Sequence, residues 1–127
     1  NNIIIFRYAD IMLLEAEIAI YKNELNAAVQ KINTFRSIRD PLSKHKMIDA
    51  NETKQNILFQ YALERSREMY LEGHIYYDLI RTRQYPQFIT WLTPGRFEQG
   101  GFYWPVSPLL FKNNPNLAQT SYWVGKI

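Results

Sequence analysis

The segment from Glu64 to Arg81 constrains the fold of this chain more than any other. It sets seven charged side chains among large apolar and aromatic residues. Glu64, Glu68 and Glu72 recur every fourth residue, so on a helix they share one face, where like charges repel. Such a stripe needs cations to neutralise it, and Arg65, Arg67 and Arg81 stand nearby. Arg36 and Arg39, earlier in the chain, are further guanidiniums within reach of a packed helix. A helix whose charges must be matched from outside itself belongs inside a larger helical assembly. The expectation is a structural charge network of Glu64, Arg65, Arg67, Glu68, Glu72, Arg36 and Arg39.

The rest of the pattern is also helical. Tyr8, Ile11, Leu14, Ile18 and Tyr21 follow helical spacing over about 7–22, and Met12, Ala16 and Ala19 widen the apolar surface to a second face. A helix with two apolar faces has neighbours on both sides. Asn23-Glu24-Leu25-Asn26 breaks it, with Asn26 as a cap for a second helix over 26–39. Ala28, Val29, Ile32 and Phe35 mark the inner side of that helix; Gln30, Lys31, Asn33, Thr34 and Ser37 mark the outer. Asp40-Pro41 stops it. A connection this short makes the two helices an antiparallel hairpin of the tetratricopeptide kind. Residues 40–52 form a polar connector, Thr53 caps a long helix over 54–72, Gly73 is placed to end it, and a short helix covers 75–82. Beyond residue 85, Pro94-Gly95 signals a turn and Gly100-Gly101 a flexible point. The prolines at 105, 108 and 115 suit an extended strap over the helices. The expected fold is all-α, a single helical domain over 1–127 with an irregular strap at 85–127.

Composition narrows the function. At 127 residues and 46% apolar content the chain can bury a core, and 15% aromatic content leaves rings for binding surfaces. Residues 81–127 hold five basic groups and one acidic, yet five scattered cations make no phosphate-tracking stripe, so nucleic acid is not expected. There is no cysteine for a thiolate metal site, and His45 and His74 stand too far apart to pair at ligand spacing. His45 reads as a solvated loop residue and His74 as a capping or core residue. Phosphate-cradling glycine loops are absent, and no cofactor is expected. The chain opens on Asn-Asn-Ile-Ile-Ile without a Met, as a piece of a longer protein would.

Four separated segments resemble one family. Arg7-Tyr8-Ala9-Asp10-Ile11-Met12-Leu13-Leu14 with Ala16-Glu17 is similar to a helix opening of the SusD-like (RagB-like) outer-membrane nutrient-binding lipoproteins of Bacteroidetes. Ala27-Ala28, Ile32-Asn33, Arg36 and Arg39 are similar to its next helix. Glu64-Arg65, Arg67-Glu68, Glu72-Gly73-His74 and Asp78-Leu79 to Arg81 resemble its signature helix. Tyr103-Trp104-Pro105-Val106 and Asn114-Pro115-Asn116-Leu117-Ala118-Gln119 resemble its closing segment. Ser66 and Ile75 depart from it, standing where arginine is common. The resemblance implies the C-terminal region of a parent protein that captures glycan at the cell surface. It further implies a lipid anchor on the parent's N-terminal part and delivery of oligosaccharide to a SusC-like TonB-dependent transporter.

Two other functions fit some residues. A tetratricopeptide-like module would bind a protein partner. A glycoside hydrolase needs two carboxyl groups roughly 5–9 Å apart, a spacing Glu68 and Glu72 would meet on a helix. The structural reading of these acids, paired in a packed network, is preferred, because a hydrolase also needs one carboxyl with a raised pKa in an open cleft. No catalytic residue is therefore assigned. For ligand contact the candidates are Trp91, Arg96 and Tyr85, in a loop-rich stretch where binding residues concentrate. The pairs Tyr76-Tyr77, Tyr103-Trp104 and Tyr122-Trp123 read as core.

Overall fold

The computed structural model describes residues 7–42, 44–112 and 114–127. The lead-in expected over Asn2 to Phe6 lies outside them. The described residues are all-α, with no strand among them. The chain divides into two compact units, 1–84 and 85–127.

The first unit holds α1 (Tyr8–Tyr21), α2 (Leu25–Arg39), α3 (Lys54–Glu68) and α4 (Ile75–Arg81). Helix α1 packs on both α2 and α3, α2 packs on α3, and α4 packs on α3. The core shared by α1, α2 and α3 includes Leu13, Ala16, Ile20, Ala28, Ile32, Phe35, Ile57 and Tyr61. The inner face of α1 is mostly small: Ala9, Ala16 and Ala19 stand beside Leu13 and Ile20. Small residues let helix backbones approach closely. The larger set read first from the sequence lies on the other side, and Tyr8, Ile11, Ile18 and Tyr21 are exposed.

Helix ends follow local backbone chemistry. After α1, Asn23 takes a left-handed conformation (φ 64°). Its N–H donates to the Ile20 carbonyl and that of Glu24 to Ala19, satisfying two carbonyls the helix leaves open. Helix α2 begins at Leu25, one residue earlier than its expected cap, so Asn26 lies in the first turn. Thr53 caps α3 as its residue type suggests, its hydroxyl accepting from the Asn56 N–H at 3.2 Å. That helix closes at Glu68 rather than near 72. Leu71 turns left-handed at φ 63° before Gly73 does so at φ 81°, and the Glu72 N–H donates to Met69 in a tight turn. Glu72 is thus on a turn, off the α3 face that carries Glu64 and Glu68.

The connector is pinned rather than loose. Asn33, expected on the outer side of α2, exchanges two hydrogen bonds with the backbone of Ile48, at 2.9 and 2.8 Å. Ile48 is thereby delivered to the core. His45 is exposed, and both its backbone N–H and its ring Nδ1 face the Asp40 carboxylate. That contact holds the Asp40 carboxyl below its ordinary value, chiefly through the backbone hydrogen bond. His74 occupies the position before α4 without a side-chain cap bond.

The second unit carries a 3-10 turn at Tyr85–Gln87 and two short helices, α5 (Pro94–Glu98) and α6 (Pro108–Phe111). Pro94 sits in the first turn of α5, where its missing N–H costs nothing, and the Thr93 hydroxyl accepts from Arg96 N. Gly100 and Gly101 are a built helix ending, not a flexible point. Gly100 has φ 79°, its N–H donates to Phe97, and the Gly101 N–H donates to Arg96. A Cβ on Gly101 would stand 2.8 Å from the Arg96 carbonyl oxygen. Thr120, Ser121 and Tyr122 then hydrogen-bond back to Gln99 and Gly100, which closes the unit on itself.

Candidate functional site

The charged residues of the first unit form a lattice that joins all four of its helices. Glu64 on α3 accepts from Arg36 on α2 at 2.6 Å, and Arg67 lies 3.5 Å from the same carboxylate oxygen. Glu68 is shared between Arg7 and Arg39, the latter at 3.0 Å. Glu72 meets Arg7 at 2.7 Å. Each acid of the stripe is therefore neutralised, as the repulsion argument required.

Arg65 departs from the expected partners. Its guanidinium turns away from the stripe, donating to Asp10 on α1 and, at 2.7–2.8 Å, to Asp78 on α4. Arg81 closes the circuit by joining Asp78, at 2.8 Å, to Glu17 on α1. The phenol of Tyr61 donates to the other oxygen of Glu17. Arg7, Asp10, Glu17, Tyr61 and Asp78 are lattice members that charge spacing on one helix did not reveal. For Arg7, Asp10 and Asp78 the signal lay in the Arg-Tyr-Ala-Asp and Asp-Leu-Ile-Arg motifs, and for Glu17 in Ala16-Glu17, read as family marks rather than as partners; Tyr61 carried none.

Burial makes this lattice consequential. Arg36, Arg65, Asp10, Glu17, Glu64 and Asp78 are all buried. Uncompensated charges there would be prohibitive, whereas fully paired ones cement helix register. Burial disfavours the charge on Arg65 and Arg81, yet the hydrogen bonds Arg65 donates to Asp10 and Asp78, and Arg81 to Glu17 and Asp78, outweigh it and push both pKa values up. The hydrogen bond from Arg7 holds the Glu72 carboxyl below its ordinary value. Desolvation, reinforced by Glu17, pushes the Tyr61 phenol well up. A glycosidase acid needs the opposite shift from that of Glu72, and Glu68 spends its side chain on two guanidiniums.

The ligand candidates lie in the second unit, and they separate. Tyr85 is buried and stacked on Phe97 at 4.5 Å, 7° from parallel. Phe97 stacks in turn on Phe102 at 4.4 Å, so Tyr85 belongs to the unit's aromatic core. Trp91 is 44% exposed, and Arg96 is fastened beside it by a 2.6 Å hydrogen bond to the Trp91 carbonyl. Tyr122, grouped with the core by its sequence, approaches Trp91 at 6.3 Å, tilted 41°. Trp91, Arg96 and Tyr122 thus come together at one place. Tyr77 on α4 and Tyr103 and Trp104 in the second unit, expected in the core, are exposed instead, and the large buried side chains of 85–127 are Tyr85, Leu92 and Phe97.

The first unit is thus a helical scaffold locked by buried arginine–carboxylate pairs. The SusD family model matches residues 1–93, and the chain belongs to that family. It is similar to "SusD-like protein P38" of Formosa agariphila, with 33% identity over 126 residues. The alignment covers 94% of this chain and 24% of that relative, so the chain spans about a quarter of its length. No solved structure matches.

Proposed function

We propose that this chain is the C-terminal helical part of a glycan-capture protein of the outer membrane. In this reading a lipid on the N-terminal part of the parent anchors it at the cell surface. The captured oligosaccharide passes to a SusC-like TonB-dependent transporter. The reading is carried by the family match over residues 1–93, whose charged motifs coincide with the ion-pair lattice. The lattice supports a scaffold role for residues 7–81, since carboxylates engaged by guanidiniums are poor proton donors. Exposed Trp91, with Arg96 beside it, is the contact offered to a sugar within this chain. A ring face suits the apolar C–H face of a pyranose, and a guanidinium its hydroxyls.

The test is calorimetric titration of the full-length parent with a panel of oligosaccharides, alongside a reducing-end assay. Saturable binding without new reducing ends is the expected result. Release of reducing ends would overturn the binding-only role, and failure to bind any glycan of the panel would overturn the ligand class. Trp91→Ala should weaken binding about two- to twelvefold, as loss of a ring contact of about 0.5–1.5 kcal/mol implies. Unchanged affinity would place the sugar contacts elsewhere in the parent.

A further inference from the structure

Each arginine of residues 7–81 meets a carboxylate. The second unit is different. Residues 85–127 hold three basic side chains, Arg96, Lys112 and Lys126, and one acidic, Glu98. Two of those cations stand at the ring pair of Trp91 and Tyr122, both are exposed, and neither has an ionic partner among the described residues. Arg96 gives one N–H to the Trp91 carbonyl at 2.6 Å, and a guanidinium has five to give. Lys126 holds its ammonium 3.3 Å from the centre of the Tyr122 ring, a cation–π contact. The backbone under both is fixed. The Tyr122 N–H donates to the Gln99 carbonyl at 2.9 Å and that of Lys126 to Trp123 at 3.1 Å. The Thr93 hydroxyl accepts from the Arg96 N–H.

We infer that the sugar taken at Trp91 is an acidic one, its ring face on the indole and its carboxylate or sulfate ester held by Arg96 and Lys126. The inference rests on the proposed reading of Trp91 as a sugar contact. A neutral sugar would engage Arg96 through its hydroxyls and leave Lys126 with nothing to pair. An anionic sugar uses both cations. The guanidinium fork matches a group that offers two or more oxygens, as carboxylates and tetrahedral oxyanions do. An ammonium resting on a ring keeps its charge and is already positioned, so less side-chain entropy is lost when an anion arrives. The surplus of cations over Glu98 in this unit adds attraction of the same sign.

Calorimetric titration of the full-length parent with matched pairs of oligosaccharides tests the charge. Each pair has one backbone with and without the anion: oligogalacturonate against its methyl ester, and sulfated carrageenan oligosaccharide against its desulfated form. The acidic member of at least one pair should bind about fivefold or more tighter than its neutral twin, and the preference should shrink in about 1 M salt, where the screening length is about 3 Å. Preference within the first pair assigns a uronate, within the second a sulfate ester, and either supports the inference. Lys126→Gln and Arg96→Gln should each lower the acid-to-neutral ratio of affinities about two- to fivefold, the range of a partly exposed ion pair. Lys126→Arg should keep that ratio, which separates charge from any loss of folding. Equal binding of both members of every pair would overturn this inference and leave the proposed function standing. A ratio that neither Gln variant moves would also overturn it, since the anion would then be read elsewhere in the parent. Failure of every sugar, acidic and neutral alike, would overturn the proposed function itself and this inference with it.

Discussion

Arg65 shows why single residues of this lattice cannot be exchanged. Its planar fork reaches Asp10 and Asp78 at once, from α3 to α1 and α4. Arg65→Met would strand the buried Asp10 carboxylate, leave Asp78 to Arg81 alone, and should cost about 3–5 kcal/mol, read as a lower urea midpoint. Arg65→Lys should recover less than half of that, because one ammonium cannot present two parallel donors to one acid and a third to another. Lys31→Ala, at an exposed pair, should cost no more than about 1 kcal/mol. Tyr61 adds a pH signature. An unfolded phenol ionises near pH 10 or so, about its ordinary value, whereas burial beside Glu17 keeps the native one neutral to higher pH. The unfolded state therefore releases its proton first, and stability falls as pH rises past about 10. Tyr61→Phe should flatten that alkaline limb in pH-jump unfolding. Glu72 and Asp40, both held low, act at the other end. Their contribution is present above about pH 4 and is lost as pH falls through their native values. Arg7→Gln should lower neutral-pH stability and remove the Glu72 part of the acid limb.

At the scale of elements, the left-handed residues that end helices divide into fitted and strained. Gly100 is fitted: with φ 79° and Thr120 Cβ 2.9 Å from where its own Cβ would stand, Gly100→Ala should destabilise the 85–127 unit by about 1–2 kcal/mol from the backbone alone. Leu71 is strained, with φ 63° and its side chain in solvent. Leu71→Gly relieves a penalty of about 1–2 kcal/mol and gives back about 0.5–1 kcal/mol in unfolded-chain entropy. A rise of a degree or more in Tm is expected for Leu71→Gly, and a fall for Gly100→Ala. The turn at Leu71 also explains why the acids at 64, 68 and 72 do not form one continuous stripe. Ending α3 at Glu68 swings Glu72 toward Arg7 at the start of α1, so one arginine holds both ends of the bend.

Across the whole molecule, helix existence was legible because apolar spacing, Thr53 and the Asn and Gly stops are local signals. Thr53 caps where its residue type says it should, and α2 and α4 lie within a residue of their expected bounds. Which face of α1 turns inward was not legible. Two apolar stripes compete there, and three alanines won over larger residues because α2 and α3 pack closely on the small side. Of the ligand candidates, Trp91 and Arg96 sit together, but Tyr85 went to the core once Phe97 was available to stack on it. Tyr122 was hidden by a separation of thirty-one positions from Trp91, which only the return of the chain onto Gln99 and Gly100 closes. What the sequence determined by itself was the helical class and the requirement that repeated acids be neutralised, since each follows from residue type and spacing along the chain, and, by the resemblance of its motifs, the family. The tertiary structure alone decided which arginine meets which acid and which rings remain in solvent. Ion pairs and ring contacts are made between elements, and their partners are set by how those elements pack, not by distance along the chain.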